Sequence, residues 1–183
     1  MKQTNNIIAT QSEKWIMEAL IDLMNKKTFQ EITISELASH ADLGRRTFYR
    51  NFTSKEDVLE SYLNIITKDF ITYLNTQEVL TPKYCLQQIF ILCKNNQSFL
   101  FGLNKSNMLS YLLEKWNLCI PIIHEMMINK LPDFPNQGNK TALEYTLAFN
   151  TGGVFNIVSK WVSTGMKESP AELTHIVSKL LVL

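Results

Sequence analysis

Between Leu43 and Lys55 every charged side chain is basic: Arg45, Arg46, Arg50 and Lys55, interleaved with Thr47, Tyr49 and the aromatics Phe48 and Phe52. A surface that meets phosphates needs that chemistry. An arginine on a helix can also bond two acceptors of one guanine in the major groove, worth about 1–3 kcal/mol of discrimination. The cluster is local. The 183 residues carry 18 Lys and Arg against 17 Asp and Glu, a net charge of +1. Three arginines on a solvated surface are the bland alternative, and the pattern around them decides between the two.

Other chemistry finds little support. Cys119 and His124 are interrupted by Pro121, and no regular helical spacing puts them on one face. No Ser-His-Asp order, phosphate-binding loop or paired carboxylates accompany them, so a catalytic role is disfavoured. The three cysteines, Cys85, Cys93 and Cys119, are odd in number and lack C-x-x-C spacing, which argues against a disulfide framework or a zinc site. No metal, no cofactor and no enzymatic activity are expected.

The basic residues need an element to hold them. Ile34, Leu37, Ala38 and Ala41 fall on one face of a short helix, which Asp42 and Leu43 interrupt. Aspartate tolerates the left-handed backbone of a tight turn. Gly44 then caps a second short helix, Arg45 to Asn51. Two helices joined this tightly, with Leu43 and Phe48 placed between them, make a helix-turn-helix. Phe48 and Phe52 supply its buried face, so Tyr49 points outward.

The remaining punctuation is sparse. No proline precedes Pro82, and Gly44 is the sole glycine before Gly102. The chain reads as all-α. Upstream, Thr10-x-x-Glu13 resembles a capping box. It opens a helix with Ile16, Ala19, Leu20 and Leu23 as its apolar stripe, which packs across the helix-turn-helix. Ser54 caps a long helix whose apolar side runs from Val58 to Leu74. Lys55 at its start is mildly unfavourable unless an anion lies beside it, a hint of a phosphate contact that a solvated lysine would equally explain. Further helices open at Pro82, near Asn96 and near Met108; Pro121 should kink or break the last of these. Leu131 to Lys140, with two prolines and a glycine, reads as a linker. Long helices follow from Thr141 to Thr164 and from Ser169. No run approaches the ~18 apolar residues of a membrane span, and no apolar signal region is present. No membrane partner and a cytoplasmic protein are therefore expected.

The stretch ITISELASHADLGRRTFYRNFTSKEDVL, Ile32 to Leu59, closely resembles the N-terminal domain of the TetR family of bacterial transcriptional regulators. The family pattern is roughly I-T-x-x-x-I-A-x-x-A-G-V-S-x-x-T-F-Y-x-x-F-x-S-K-E-x-L. Asp42 stands where a turn glycine is usual. Gly44 stands where serine is usual, and loses a side-chain cap worth a few tenths of a kcal/mol, roughly. A second segment, FNTGGVFNIVSKWVSTGMKESPAEL, looks like the F-x-x-G-G-x-x-x-x-x-x-W-x-x-x-G-M-x-x-S-P-x-E-L region of a C-terminal subgroup common in low-GC Gram-positive bacteria. The middle of the chain matches no pattern.

The resemblance implies a DNA-binding domain over residues 1–56 and an all-helical effector-binding and dimerisation domain over 57–183, joined functionally through the long helix after Ser54. It implies a homodimer on a near-palindromic duplex operator, repressing transcription until a small effector binds. The DNA-contacting set is then Thr33, Gly44, Arg45, Arg46, Thr47, Tyr49, Arg50 and Lys55. Of these, Thr47 and Tyr49 contact DNA, Lys55 meets a phosphate, and the arginines read bases or phosphates. An apolar or aromatic effector would be lined by Phe70, Phe99, Tyr111, Trp116, Cys119 and His124, large aromatics with a few polar groups.

Gly152-Gly153 inside a strong helix costs ~1 kcal/mol per residue against alanine, which close approach of another helix would offset. With Phe149, Ile157, Trp161, Leu173, Ile176 and Leu180 this suggests two helices pairing with their symmetry mates. A close contact within one subunit is the alternative. A regulator controlled by a protein partner, or an activator, also stays open, and a solid effector domain without a cavity would favour it.

Overall fold

The computed structural model describes residues 2–131 and 139–180, with side chains from residue 11 onward. Every regular element among them is helical: α1 (Lys2–Lys26), a single 3-10 turn (Phe29–Glu31), α2 (Ile34–His40), α3 (Arg45–Asn51), α4 (Lys55–Thr76), α5 (Pro82–Asn95), α6 (Gln97–Lys105), α7 (Ser110–Lys130), α8 (Lys140–Ser163) and α9 (Pro170–Val177). None of these helices is long and apolar enough to cross a membrane.

Local chemistry explains most boundaries. Thr33, Ser54 and Thr81 each accept the backbone N–H three residues on, capping α2, α4 and α5. Ser169 and Glu172 form a reciprocal capping box at the start of α9, with Pro170 in the first turn. Two expectations are corrected. The helix containing Thr10 begins at Lys2, so the Thr10–Glu13 pattern is not its start. Of the kink or break expected at Pro121, the break does not occur: α7 continues on both sides of it. The core faces of its neighbours Leu112, Ile123 and Met127 outweigh the one backbone bond that proline removes. Most of the expected 131–140 linker, residues 132–138, lies outside the described residues.

α1, α2 and α3 pack on one another, with Ile16, Leu20, Leu37, Phe48 and Phe52 buried among them. The C-terminal end of α1 then runs on to α6. There the contact is so close that a Cβ on Gly102 would lie 2.7 Å from Met24 Cβ, which explains a glycine inside a helix. Hydrogen bonds fasten the same junction. Ser106 Oγ accepts from the Phe29 amide at 2.9 Å, and Lys105 Nζ donates to the Asn25 and Lys26 carbonyls at the end of α1, both at 2.9 Å.

Buried residues of both halves, from Ile16 to Val177, therefore belong to one apolar cluster. A smaller second cluster, Leu74, Leu80, Cys85, Ile123 and Met127, seals the far ends of α4, α5 and α7. Lysines cap the helix ends throughout. Lys130 Nζ donates to the last carbonyls of α4, and Lys94 Nζ donates at 2.9 Å to Met166 O in the turn between α8 and α9.

Candidate nucleic-acid interface

The turn between α2 and α3 is built on one left-handed residue. Asp42 has φ 55°, and the Leu43 N–H returns to the Ala38 carbonyl at 2.9 Å. Gly44 is extended (φ −77°, ψ 151°), so its backbone asks nothing special of glycine. The turn aims α3 so that Phe48 is wholly buried, with Phe52 beside it at a ring distance of 6.1 Å. At 100° per residue, that burial leaves Arg46 and Arg50 at the centre of the opposite arc and Tyr49 at its edge, whereas Arg45, only about 60° round from Phe48, is exposed because it opens the helix. All four are exposed, Tyr49 by half. Thr47 lies at the edge of the arc, half-buried.

Every arginine of the chain is on this one helix. No carboxylate among the described residues pairs with any of them, whereas Lys14, Lys27, Lys115 and Lys140 each have an acidic partner. Three unpaired guanidinium groups and a phenol therefore share one solvated face. Such a face can meet phosphates along its edge and base acceptors at its centre. Thr33 is exposed nearby, its oxygen already accepting the Glu36 amide at 3.2 Å.

Lys55 departs from expectation. Its ammonium donates to the carbonyls of Phe29, Gln30 and Ile32 at 2.7, 3.1 and 2.9 Å and stands 4.6 Å from the centre of the Phe29 ring. An ammonium has three protons, and here all three have acceptors inside the protein. Where a phosphate contact was expected, Lys55 clamps the 3-10 turn to the start of α4. The anion that its position called for is a set of carbonyl dipoles.

Of the six residues expected to line an effector cavity, Phe99 belongs to the main apolar cluster, and Phe70 and Trp116 pack against it. Phe99 is core, edge-on to Tyr62 at 4.8 Å. Trp116 is half-buried against Phe155, at 6.3 Å, and Tyr111 is partly exposed. Cys119 and His124 sit on α7, too far round the helix from each other to act together. Burial raises the Cys119 thiol, only partly offset by Lys115, and lowers His124. Burial also pushes Cys85 up to about 11 and Cys93 up to about 12, so these thiols stay protonated. Phe70 lines a groove of about 510 Å³ between α4 and α5.

The set expected at a subunit interface divides in two. Trp161 is 2% exposed; it lies edge-on to Phe90 at 5.9 Å and donates Nε1–H to the Glu168 carbonyl at 3.2 Å. Leu173 is buried where α9 packs on α5. Both are core of the subunit, a correction, because a tryptophan or leucine on an amphipathic helix reads alike toward either partner. Ile157 is half-buried. Phe149, Ile176 and Leu180 are exposed by 66%, 53% and 65%. Tyr145, which sequence reasoning missed, is at 74% the most exposed aromatic among the described residues, one turn before Phe149. A Cβ at Gly152 or Gly153 would meet nothing within 4 Å, so close contact within the subunit does not account for these glycines.

Comparison with known proteins agrees with this arrangement. Residues 16–62 match the family model of bacterial regulatory proteins of the tetR family, and residues 80–182 match that of a transcriptional regulator C-terminal region. A search of curated proteins finds no match. Among solved structures, the dihydroxyacetone kinase operon activator DhaS is 20% identical over 93% of each chain, with a TM-score of 0.68. The fatty acid degradation regulator FadR from Bacillus halodurans is also 20% identical, over 93% of this chain and 94% of its own, with a TM-score of 0.68. A TetR transcriptional regulator from Streptococcus agalactiae is 20% identical over the whole of both chains, at 0.66. At such identities the likeness is one of fold.

Proposed function

The chain belongs to the TetR family of DNA-binding transcriptional regulators, and from that premise we propose that it is a ligand-responsive repressor that binds a near-palindromic operator as a homodimer. The observation that carries the reading is the outward arc of α3, where all the arginines gather unpaired beside Tyr49. Arg45 and Arg46 open the helix, the end that enters a major groove. Residues 1–56 serve recognition and 57–183 serve pairing and sensing. The DNA-contacting set is Thr33, Gly44, Arg45, Arg46, Thr47, Tyr49 and Arg50.

Pairing is assigned to the outward faces of α8 and α9. Exposed Tyr145, Phe149, Ile176 and Leu180, with two glycines that leave room for another backbone, form a self-complementary apolar surface. Two copies would present α3 twice, about 34 Å apart or a small multiple of that. An effector with higher affinity for a conformation of different spacing would release the operator. Control by a protein partner is the second reading, favoured by Phe99, which is buried in the core against Tyr62 rather than free to line a cavity.

The test is affinity for a duplex spanning the promoter beside its gene, at two salt concentrations, with the mass in solution measured alongside. A dimer whose affinity falls steeply with salt is expected, and Arg46→Ala should lose about tenfold. A lone subunit indifferent to duplex and salt would defeat the proposal.

A further inference from the structure

We propose that the groove between α4 and α5 binds an elongated amphipathic monocation, an apolar body bearing one protonated or quaternary nitrogen, with Asp69 as its counter-ion. The inference rests on the reading of the protein as a ligand-responsive regulator and supplies the place and the chemistry of the ligand.

Consecutive helices usually pack on each other, and these two do not along their middles. α4 packs on α1 and α7, while α5 packs on α6 and α9. Two hydrogen-bonded links span the gap. Tyr62 Oη donates to Asn96 Oδ1 at 3.0 Å at one end; at the other, the Tyr73 and Tyr84 hydroxyls meet at 2.9 Å and Tyr84 continues to Gln77 Oε1 at 3.2 Å. From Tyr62 to Tyr73 the helix rises about 16 Å. The intervening groove of about 510 Å³ has a volume typical of small-molecule sites.

Its lining fixes the chemistry. Ile66, Phe70, Ile91 and Leu92 form a half-buried apolar floor that an alkyl or aromatic body would cover. Gln88, Asn95 and Asp69 rim it, and Asp69 is the one charged side chain in the lining. Without a cation there, an anionic head group lacks a counter-charge, and several positive charges would find only one carboxylate. A long apolar body with a single positive charge fits both the length and the lining.

The position also suits control. Tyr62, whose hydroxyl closes the inner end, lies edge-on to Phe99 of α6, and the end of α6 is fastened through Lys105 and Ser106 to α1 and the 3-10 turn. On the other wall, Lys94 of α5 holds the turn between α8 and α9. A ligand that separates Tyr62 from Asn96 thus acts on the elements bearing α3.

The test titrates the full chain by calorimetry with decyltrimethylammonium and with decanoate, each below its micelle concentration, and with promoter duplex in parallel. Wild-type protein should prefer the cation. Asp69→Asn should weaken cation binding two- to fivefold, roughly what one exposed charge contributes, and leave the thermal unfolding temperature unchanged. Asp69→Lys should reverse the preference. Equal affinity for the two probes, no binding of either, or a preference unmoved by both variants would overturn the assignment. Salt-dependent duplex binding without probe binding would defeat the groove and spare the regulator. Asp69-dependent probe binding by a protein indifferent to duplex would uphold the groove and defeat the regulator.

Discussion

The arginines and lysines of this protein carry the same charge and do different work. Arg45, Arg46 and Arg50 project unpaired from α3, while Lys55, Lys94, Lys105 and Lys130 spend their protons on the carbonyls of helix ends and turns. A flexible stem with three donors suits a cluster of carbonyls, and a planar fork suits phosphate or guanine. The two kinds separate in one experiment. Lys55→Ala leaves three carbonyls without their donor and exposes the Phe29 ring, so it should lower the unfolding free energy by about 1–3 kcal/mol. The salt slope of duplex binding by the folded fraction should stay as in the parent. Arg46→Ala should do the reverse, weakening duplex binding with little loss of stability. If Lys55→Ala lowered the salt slope by about one and left stability untouched, the clamp assignment would fall and the phosphate contact would return.

Among the helices, α8 shows how far an element's own sequence specifies its neighbours. A helix interior with paired glycines is weak by itself. Gly152 and Gly153 have open space beyond them, next to an exposed Phe149 and Tyr145. Gly153→Ala should therefore stabilise the isolated subunit by up to ~1 kcal/mol, since nothing in the chain obstructs the added methyl. Gly153→Trp should fold as well but fail to pair, read as a halved mass in solution with unfolding close to that of the parent monomer. A dimer unaffected by tryptophan at this position would move the interface away from α8. Elsewhere the elements behaved as their caps direct. Thr33, Ser54, Thr81 and Ser169 set the starts of four helices through bonds to nearby amides.

At the scale of the whole molecule, the N-terminal and C-terminal helices share one apolar cluster, joined where Gly102 admits Met24, where Lys105 holds the end of α1 and where Ser106 holds the 3-10 turn. Urea unfolding should accordingly be a single transition, coincident by circular dichroism and tryptophan fluorescence, and residues 1–56 alone should not fold to the same helicity. Two separated transitions would show that the junction through α1 and α6 is weak. Sequence alone determined the helical class, the left-handed Asp42, the buried Phe48 and the outward Tyr49. Each depends on residues within a turn or two of one another, and periodicity and capping report such short-range relations directly. It also determined the basic face of α3, since a short helix with one buried stripe leaves little choice about the other. Only the tertiary structure decided that Lys55 faces carbonyls rather than solvent, that Trp161 and Leu173 face inward, and that α4 and α5 stand apart around a groove. Those outcomes depend on where a second helix, distant in the chain, comes to lie, and an amphipathic stripe says that a face must be covered without saying by what.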